Sequence, residues 1–200
     1  MARVAVLASG TGTNLQALLD DEVIGPKVVL VLSDRADAMA LDRARNRGVE
    51  ALFLDPAKFD GRASFDRAVL EALRSRAVDA VALAGFMRVV GAELVDAFQG
   101  RMLNVHPSLL PAFPGGRSVA EALEWGAKVT GVTVHLVDDR VDHGPIVAQE
   151  AVAVMPGDTW DSLEERIHEV EHRLLPAAMR ALVQGKLKVD GRLVRIEEEG

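Results

Sequence analysis

Cysteine is absent from the 200 residues of this chain, which excludes disulfides and every cysteine-ligated metal site. A cytoplasmic address is the expectation for such a composition. Long apolar runs are absent too. The apolar residues 4–8 stop at Ser9 and Gly10, too short a stretch for the hydrophobic region of a signal peptide. No segment approaches the roughly 18 consecutive apolar residues of a membrane helix. An excess of positive charge is also missing. With 23 Lys and Arg against 30 Asp and Glu the formal net charge is −7, so the basic footprint of a nucleic-acid binder is lacking. An anionic ligand must instead be met locally, by backbone amides or a few placed cations. No internal repeat or low-complexity linker breaks the chain, so one domain over residues 1–200 is expected.

What is present is a chain that is 49% apolar, long enough to bury roughly 70% of its unfolded surface. Its first half alternates as a parallel α/β sheet does. Residues 3–8 (RVAVLA) and 28–32 (VVLVL) read as buried strands, 51–54 as a short third strand and 78–84 (VDAVALA) as a fourth. Helices are expected over 13–20, 36–47 and 64–75, with Leu15, Leu18 and Leu19 forming the apolar stripe of the first and Gly48 stopping the second. Near-continuous apolar strands separated by helices imply a sheet covered on both faces. The second half is less regular. Strands are expected at 102–105, 130–137 and 146–154, helices at 118–125 and 159–184, and a terminal hairpin over 188–195. The fold class is therefore an open, mostly parallel twisted sheet with helices on both faces and mixed strands in the C-terminal half.

Two stretches point to chemistry. Ser9-Gly10-Thr11-Gly12-Thr13-Asn14 sits between the first strand and the first helix. A helix N-terminus offers N–H groups and a positive dipole end, and glycines let that backbone approach a phosphate. The same spacing also suits a tight strand-to-helix turn with a capping Thr. A dinucleotide site competes as well, with Gly10 and Gly12 as half of its fingerprint and Asp34 after the second strand. Leu15 occupies the third glycine position of that fingerprint, which favours a monophosphate. The second stretch is Leu103-Asn104-Val105-His106-Pro107-Ser108-Leu109-Leu110-Pro111. Residues two apart on a strand share a face, so Asn104 and His106 point the same way at a strand end. An amide and an imidazole together stabilise an oxyanion and move a proton. On spacing alone, the simpler account is that both satisfy loop backbone groups.

The second stretch resembles the signature of the folate-dependent formyltransferases, and the resemblance runs over nearly the whole chain. Residues 9–16 (SGTGTNLQ) are similar to the phosphate loop of the members that act on glycinamide ribonucleotide. Residues 83–90 (LAGFMRVV) are similar to a folate-pocket strand and turn. Residues 131–142 (GVTVHLVDDRVD), followed by His143, Gly144 and Pro145, resemble the segment carrying an essential aspartate. The resemblance implies formyl transfer from 10-formyltetrahydrofolate to the amine of glycinamide ribonucleotide, without a metal. It implies catalytic roles for Asn104, His106 and Asp142, and acceptor contacts from Gly12, Thr13, Asn14 and Glu171. It places Arg62, Met87, Arg88, Val89, Val90, Asn104, Asp138, Asp139, Arg140, Val141 and Asp142 against the folate. The phosphate-binding half is then 1–100, and the folate-binding and catalytic half 101–200. A monomer or a homodimer is expected.

On residue type alone, Arg62 reads as a solvated cation and Glu171 as an exposed helix charge. Met87 reads as a core residue and His135 as a structural histidine. His143 stands where the family often carries another residue, and is expected to point to solvent. A carboxylate near His106 is expected to raise its pKa. Competing functions carry their own expectations. Methionyl-tRNA formyltransferase has a similar core with a basic C-terminal domain, whereas this sequence closes on Glu197-Glu198-Glu199-Gly200. Formyltetrahydrofolate hydrolase has a similar core behind a regulatory domain, whereas here the first strand starts at Arg3. A nicotinamide-dependent oxidoreductase or a non-catalytic nucleotide-binding module accounts only for Gly10, Gly12 and Asp34.

Overall fold

The computed structural model describes residues 2–197; Glu198, Glu199 and Gly200 of the acidic end lie outside the described residues. The seven strands of the main sheet run in the order β3 (Glu50–Phe53), β2 (Val28–Ser33), β1 (Val4–Leu7), β4 (Ala80–Leu83), β5 (Met102–His106), β6 (Val129–Leu136), β7 (Ile146–Ala153). The sheet is open and mostly parallel, with an antiparallel pair in the C-terminal half. The chain divides into two compact units, one ending at Leu103 and the other beginning at Asn104.

The first unit holds β1 (Val4–Leu7), β2 (Val28–Ser33), β3 (Glu50–Phe53) and β4 (Ala80–Leu83), with α1 (Thr13–Asp20), α2 (Met39–Asn46), α3 (Gly61–Arg74) and α4 (Ala92–Ala97). β1 pairs in parallel with β2 and β4, and β2 pairs in parallel with β3. Every residue of β1 and β4 is buried, as strands covered on both faces require. Helix α1 occupies the expected span. Helix α2 starts at Met39 rather than residue 36. The residues before it are held as a turn by Arg35 N–H donating to Ser33 Oγ (3.1 Å) and by the Arg35–Asp37 ion pair. Helix α3 starts at Gly61, three residues earlier than expected. The six-residue α4 is too short for its periodicity to register in the sequence.

β5 (Met102–His106) carries the chain into the second unit. There β6 (Val129–Leu136) and β7 (Ile146–Ala153) form an antiparallel pair, and α5 (Ser118–Glu124) and α6 (Trp160–Val183) complete the fold. Helix α6 packs on β6 and β7. Its start is fixed by a capping box: Ser162 N–H donates to Thr159 Oγ1 (3.2 Å) and Thr159 N–H donates to Ser162 Oγ (3.0 Å). The terminal hairpin is formed by β8 (Leu187–Asp190) and β9 (Leu193–Ile196), and turns through Gly191 at φ 57°. Among the described residues no helix is long and apolar enough to cross a membrane.

Candidate active site

In the second unit, three side chains converge. β5 alternates: Leu103 and Val105 are buried apolar residues, while Asn104 and His106 share the opposite face. Asp142 lies in the segment after β6 and takes a left-handed backbone, φ 51°, which Asp tolerates better than most residues. Its Oδ1 is 3.4 Å from Asn104 Nδ2, and its Oδ2 is 3.4 Å from His106 Nδ1. Gly115 N–H donates to Oδ2 at 2.7 Å.

The loop after β5 is anchored by Thr133. Its hydroxyl donates to the Ser108 carbonyl (2.7 Å) and accepts from Leu110 N–H (3.1 Å) and the Gln149 amide (2.8 Å). One donor and two lone pairs are thereby all used. The loop ends by presenting the Phe113 carbonyl to His106 Nε2 at 2.8 Å. Phe113 has φ 49°, an uncommon conformation for a bulky residue and one that requires firm support from its surroundings.

The imidazole of His106 thus has an acceptor at each nitrogen. Protonated, it donates to both. Neutral, it donates to Phe113 and turns a lone pair toward Asp142. The expectation of a raised pKa is corrected here. Burial pushes His106 down; Asp142 and the Phe113 carbonyl pull it up, His135 opposes them, and the net position is below the ordinary value. The residue is only 4% exposed, so loss of water outweighs a carboxylate at 3.4 Å. Burial likewise pushes Asp142 up, but His135, the Gly115 amide and His106 together hold it below the usual range. Of these, the Gly115 bond is the short one; His135 Nε2 stands 3.7 Å from Oδ1, beyond hydrogen-bonding range.

By NMR titration, His106 has a midpoint below its ordinary 6.5, and Asp142→Asn lowers it further because the cation loses its counter-charge. The folded value lies below the unfolded one. The residue's contribution to stability is therefore complete above the unfolded value and is lost as pH falls through the folded value. An upward shift in Asp142→Asn contradicts this account.

His135, read from the sequence as a structural histidine, lies beside the candidate site and holds Asn104. It is buried on β6, and its Nδ1 meets the Leu136 carbonyl at 2.9 Å. Nδ1 must therefore carry the hydrogen, and Nε2 accepts from Asn104 Nδ2 at 3.1 Å. This fixes which end of the Asn104 amide faces His135. The available signal was Thr133 and His135, two polar residues on one face of an apolar strand. His143 does not simply point to solvent: its Nδ1 pairs with Asp138 Oδ2 at 2.7 Å. Asp138 Oδ1 also accepts from Arg140 N–H at 3.0 Å, while Asp139 and Val141 are exposed. Glu171 is a buried carboxylate of α6, not an exposed charge, with His168 Nε2 at 3.9 Å.

In the first unit, Gly12, Thr13 and Asn14 open α1. Gly12 is required for two reasons: its φ is 73°, and a Cβ there would stand 2.8 Å from Ala40 Cα. Asp34 Oδ1 accepts from Ser9 Oγ at 2.6 Å, and Ser9 Oγ accepts from Met87 N–H at 2.9 Å. Asp34 is thus engaged in holding the loop rather than presented as a ribose ligand. Arg88 lies over the Phe65 ring, 4.6 Å from its centroid, and its buried Nε has no hydrogen-bond partner among the described residues. Arg62 is exposed, and Asp66 has both arginines as charged neighbours. Met87 is not a core residue: it is 75% exposed, and Val89 is exposed while Val90 is half-buried.

Comparison with known proteins gives a consistent picture. A formyl transferase family model matches residues 2–179. The chain is 39% identical to the phosphoribosylglycinamide formyltransferase of Bacillus subtilis, over 92% of this chain and 95% of that protein. It is 46% identical to the phosphoribosylglycinamide formyltransferase of Mycobacterium tuberculosis, over 96% and 89%. The crystal structure of glycinamide ribonucleotide transformylase 1 from Symbiobacterium toebii superposes with a TM-score of 0.96 at 51% identity, covering 99% of this chain and 95% of that one.

Proposed function

The chain belongs to the formyl transferase family, and from that premise we infer that it transfers the formyl group of 10-formyltetrahydrofolate to the amine of N1-(5-phospho-D-ribosyl)glycinamide. The products are the N-formyl compound and tetrahydrofolate, a step of purine biosynthesis, and a cytoplasmic location suits that role. The observation that carries the chemistry is the convergence of Asn104 and His106 on Asp142 in one buried corner.

The folate supplies the formyl carbon and accepts a proton at N10. The acceptor amine forms the new C–N bond, the bond from the formyl carbon to N10 breaks, and one amine proton passes to N10. As the bond forms, negative charge collects on the formyl oxygen. Asn104 Nδ2 has two hydrogens, one committed to His135; the other, in the long 3.4 Å contact with Asp142, is the one available to that oxygen. His106 in its protonated form adds positive charge beside that oxygen, with its two N–H groups turned to Phe113 and Asp142. Asp142 balances that cation and orders the water through which the proton moves. Catalysis here is positioning and charge stabilisation.

Gly12, Thr13 and Asn14 hold the acceptor's phosphate with the N-terminal amides of α1, and Glu171 is a further acceptor contact. Arg62, Met87, Arg88, Val89 and Val90 are assigned to folate contact. The unpartnered Arg88 Nε and the exposed Met87 and Val89 suit a ligand with an apolar body and a carboxylate. Residues Asp138, Asp139, Arg140, Val141 and Asp142 are likewise assigned to folate contact. The test is a steady-state assay with 10-formyltetrahydrofolate, with and without the acceptor. Acceptor-dependent consumption of the donor that is abolished in His106→Ala is the expected result. Consumption without acceptor marks a hydrolase, and near-normal turnover in His106→Ala removes that residue from the chemistry.

A further inference from the structure

The segment carrying Asp142 has no regular structure and few ties. Asp138 binds it internally, through Arg140 N–H and His143 Nδ1. Gly115 N–H holds the carboxylate itself. One tie comes from far along the chain: Arg192 Nη2 donates to the backbone carbonyl of His143 at 2.8 Å. Arg192 sits in the turn of the β8–β9 hairpin, 49 residues away in sequence, and its Nη1 lies 3.5 Å from His143 Nε2. The Arg140 guanidinium touches the same imidazole. The carbonyl held by Arg192 belongs to the His143–Gly144 peptide, one residue after Asp142, whose own backbone is in the left-handed region.

We propose that Arg192 is a positioning residue for formyl transfer: the C-terminal hairpin sets the placement of Asp142 by holding the His143 carbonyl. The proposal rests on the catalytic reading of Asp142. Left-handed backbone in a non-glycine residue persists only where its surroundings over-determine it. Here Gly115 fixes the side-chain end and Arg192 fixes the main-chain end. Released at the main-chain end, the segment relaxes toward ordinary backbone angles and turns the carboxylate away from His106 and Asn104. Displacements of about 1 Å at a reacting centre are enough to cost up to about 100-fold in rate. A single exposed hydrogen bond among several ties accounts for a smaller share.

The experiment is a kinetic double-mutant cycle in the full-length protein. Arg192→Ala lowers kcat by roughly fivefold, the worth of one hydrogen bond, with both KM values near wild type and an altered pH profile of kcat. Arg192→Lys, which keeps a donor, restores most of the turnover. In an Asp142→Asn background, Arg192→Ala has little further effect, because the group it positions no longer acts. Wild-type kcat and pH profile in Arg192→Ala overturn the proposal. So does an equal loss in both backgrounds accompanied by a fall in Tm, which marks a merely structural role. Full turnover in Asp142→Asn instead overturns the catalytic reading of Asp142 itself.

Discussion

Asn104→Ala lowers kcat by about 10²–10³-fold, the usual cost of removing one oxyanion donor, while KM for both substrates changes little. The expectation rests on when the amide acts. In the resting protein one of its hydrogens is taken by His135 Nε2 at 3.1 Å, and the other makes only a 3.4 Å contact with Asp142. Exchanging that weak contact for a charged oxygen gains most in the transition state, so the loss falls on kcat. Asn104→Asp is expected to be at least as impaired. It puts a second carboxylate beside Asp142 and turns lone pairs toward the developing charge. Folding is largely retained, since Asn104 is half-buried. The stability loss is confined to the His135 nitrogen left without its donor, about 1–3 kcal/mol. Steady-state kinetics with a thermal melt separate the two effects. A kcat within tenfold of wild type places the oxygen elsewhere.

How much of this was legible beforehand differs from element to element. The helix over 13–20 and the strands over 28–32 and 146–154 follow from periodicity, because their faces have a single destination, the core. Asn104 and His106 were legible as a pair since two-residue spacing fixes a shared face. Their partner was not: Asp142 joins them across the turn after β6, and only the family resemblance picked it out. The contact of His135 with Asn104 was not legible, because alternation on β6 reports which face is inward, and an inward histidine looks the same whether it neighbours a core or a site. The pKa of His106 was misjudged for a related reason. A sequence names the neighbouring carboxylate, but not the loss of water that outweighs it. Gly12 was read as a phosphate glycine, while the approach of Ala40 from α2 already demands it. A glycine at that place is therefore weak evidence for a phosphate taken alone.

Gly144→Ala is expected to damage both stability and turnover, for a reason that Gly-Pro turn chemistry does not reveal. Gly144 is buried and its φ is not in the left-handed region, so conformational freedom is not the issue. A Cβ there would stand 1.7 Å from the Leu136 carbonyl oxygen and 3.3 Å from Asp138 N. Both are backbone atoms and cannot swing aside. Leu136 N–H also donates to the Pro145 carbonyl at 2.9 Å, so the two strands are already closed at this point. Accommodating a methyl group means opening the end of the β6–β7 pair, with a cost of about 1–3 kcal/mol or more for such overpacking. At about 2–4 °C per kcal/mol for a chain of this size, Tm falls by several degrees. The same opening moves Asp142, two residues upstream, away from Asn104 and His106. A shift of about 1 Å lowers kcat by up to about 100-fold. Kinetics measured well below the lowered Tm distinguish this from simple unfolding. If Gly144→Ala melts early but keeps full turnover, the segment carries strain without transmitting it to the carboxylate, and the placement of Asp142 depends on its Gly115 and hairpin ties alone.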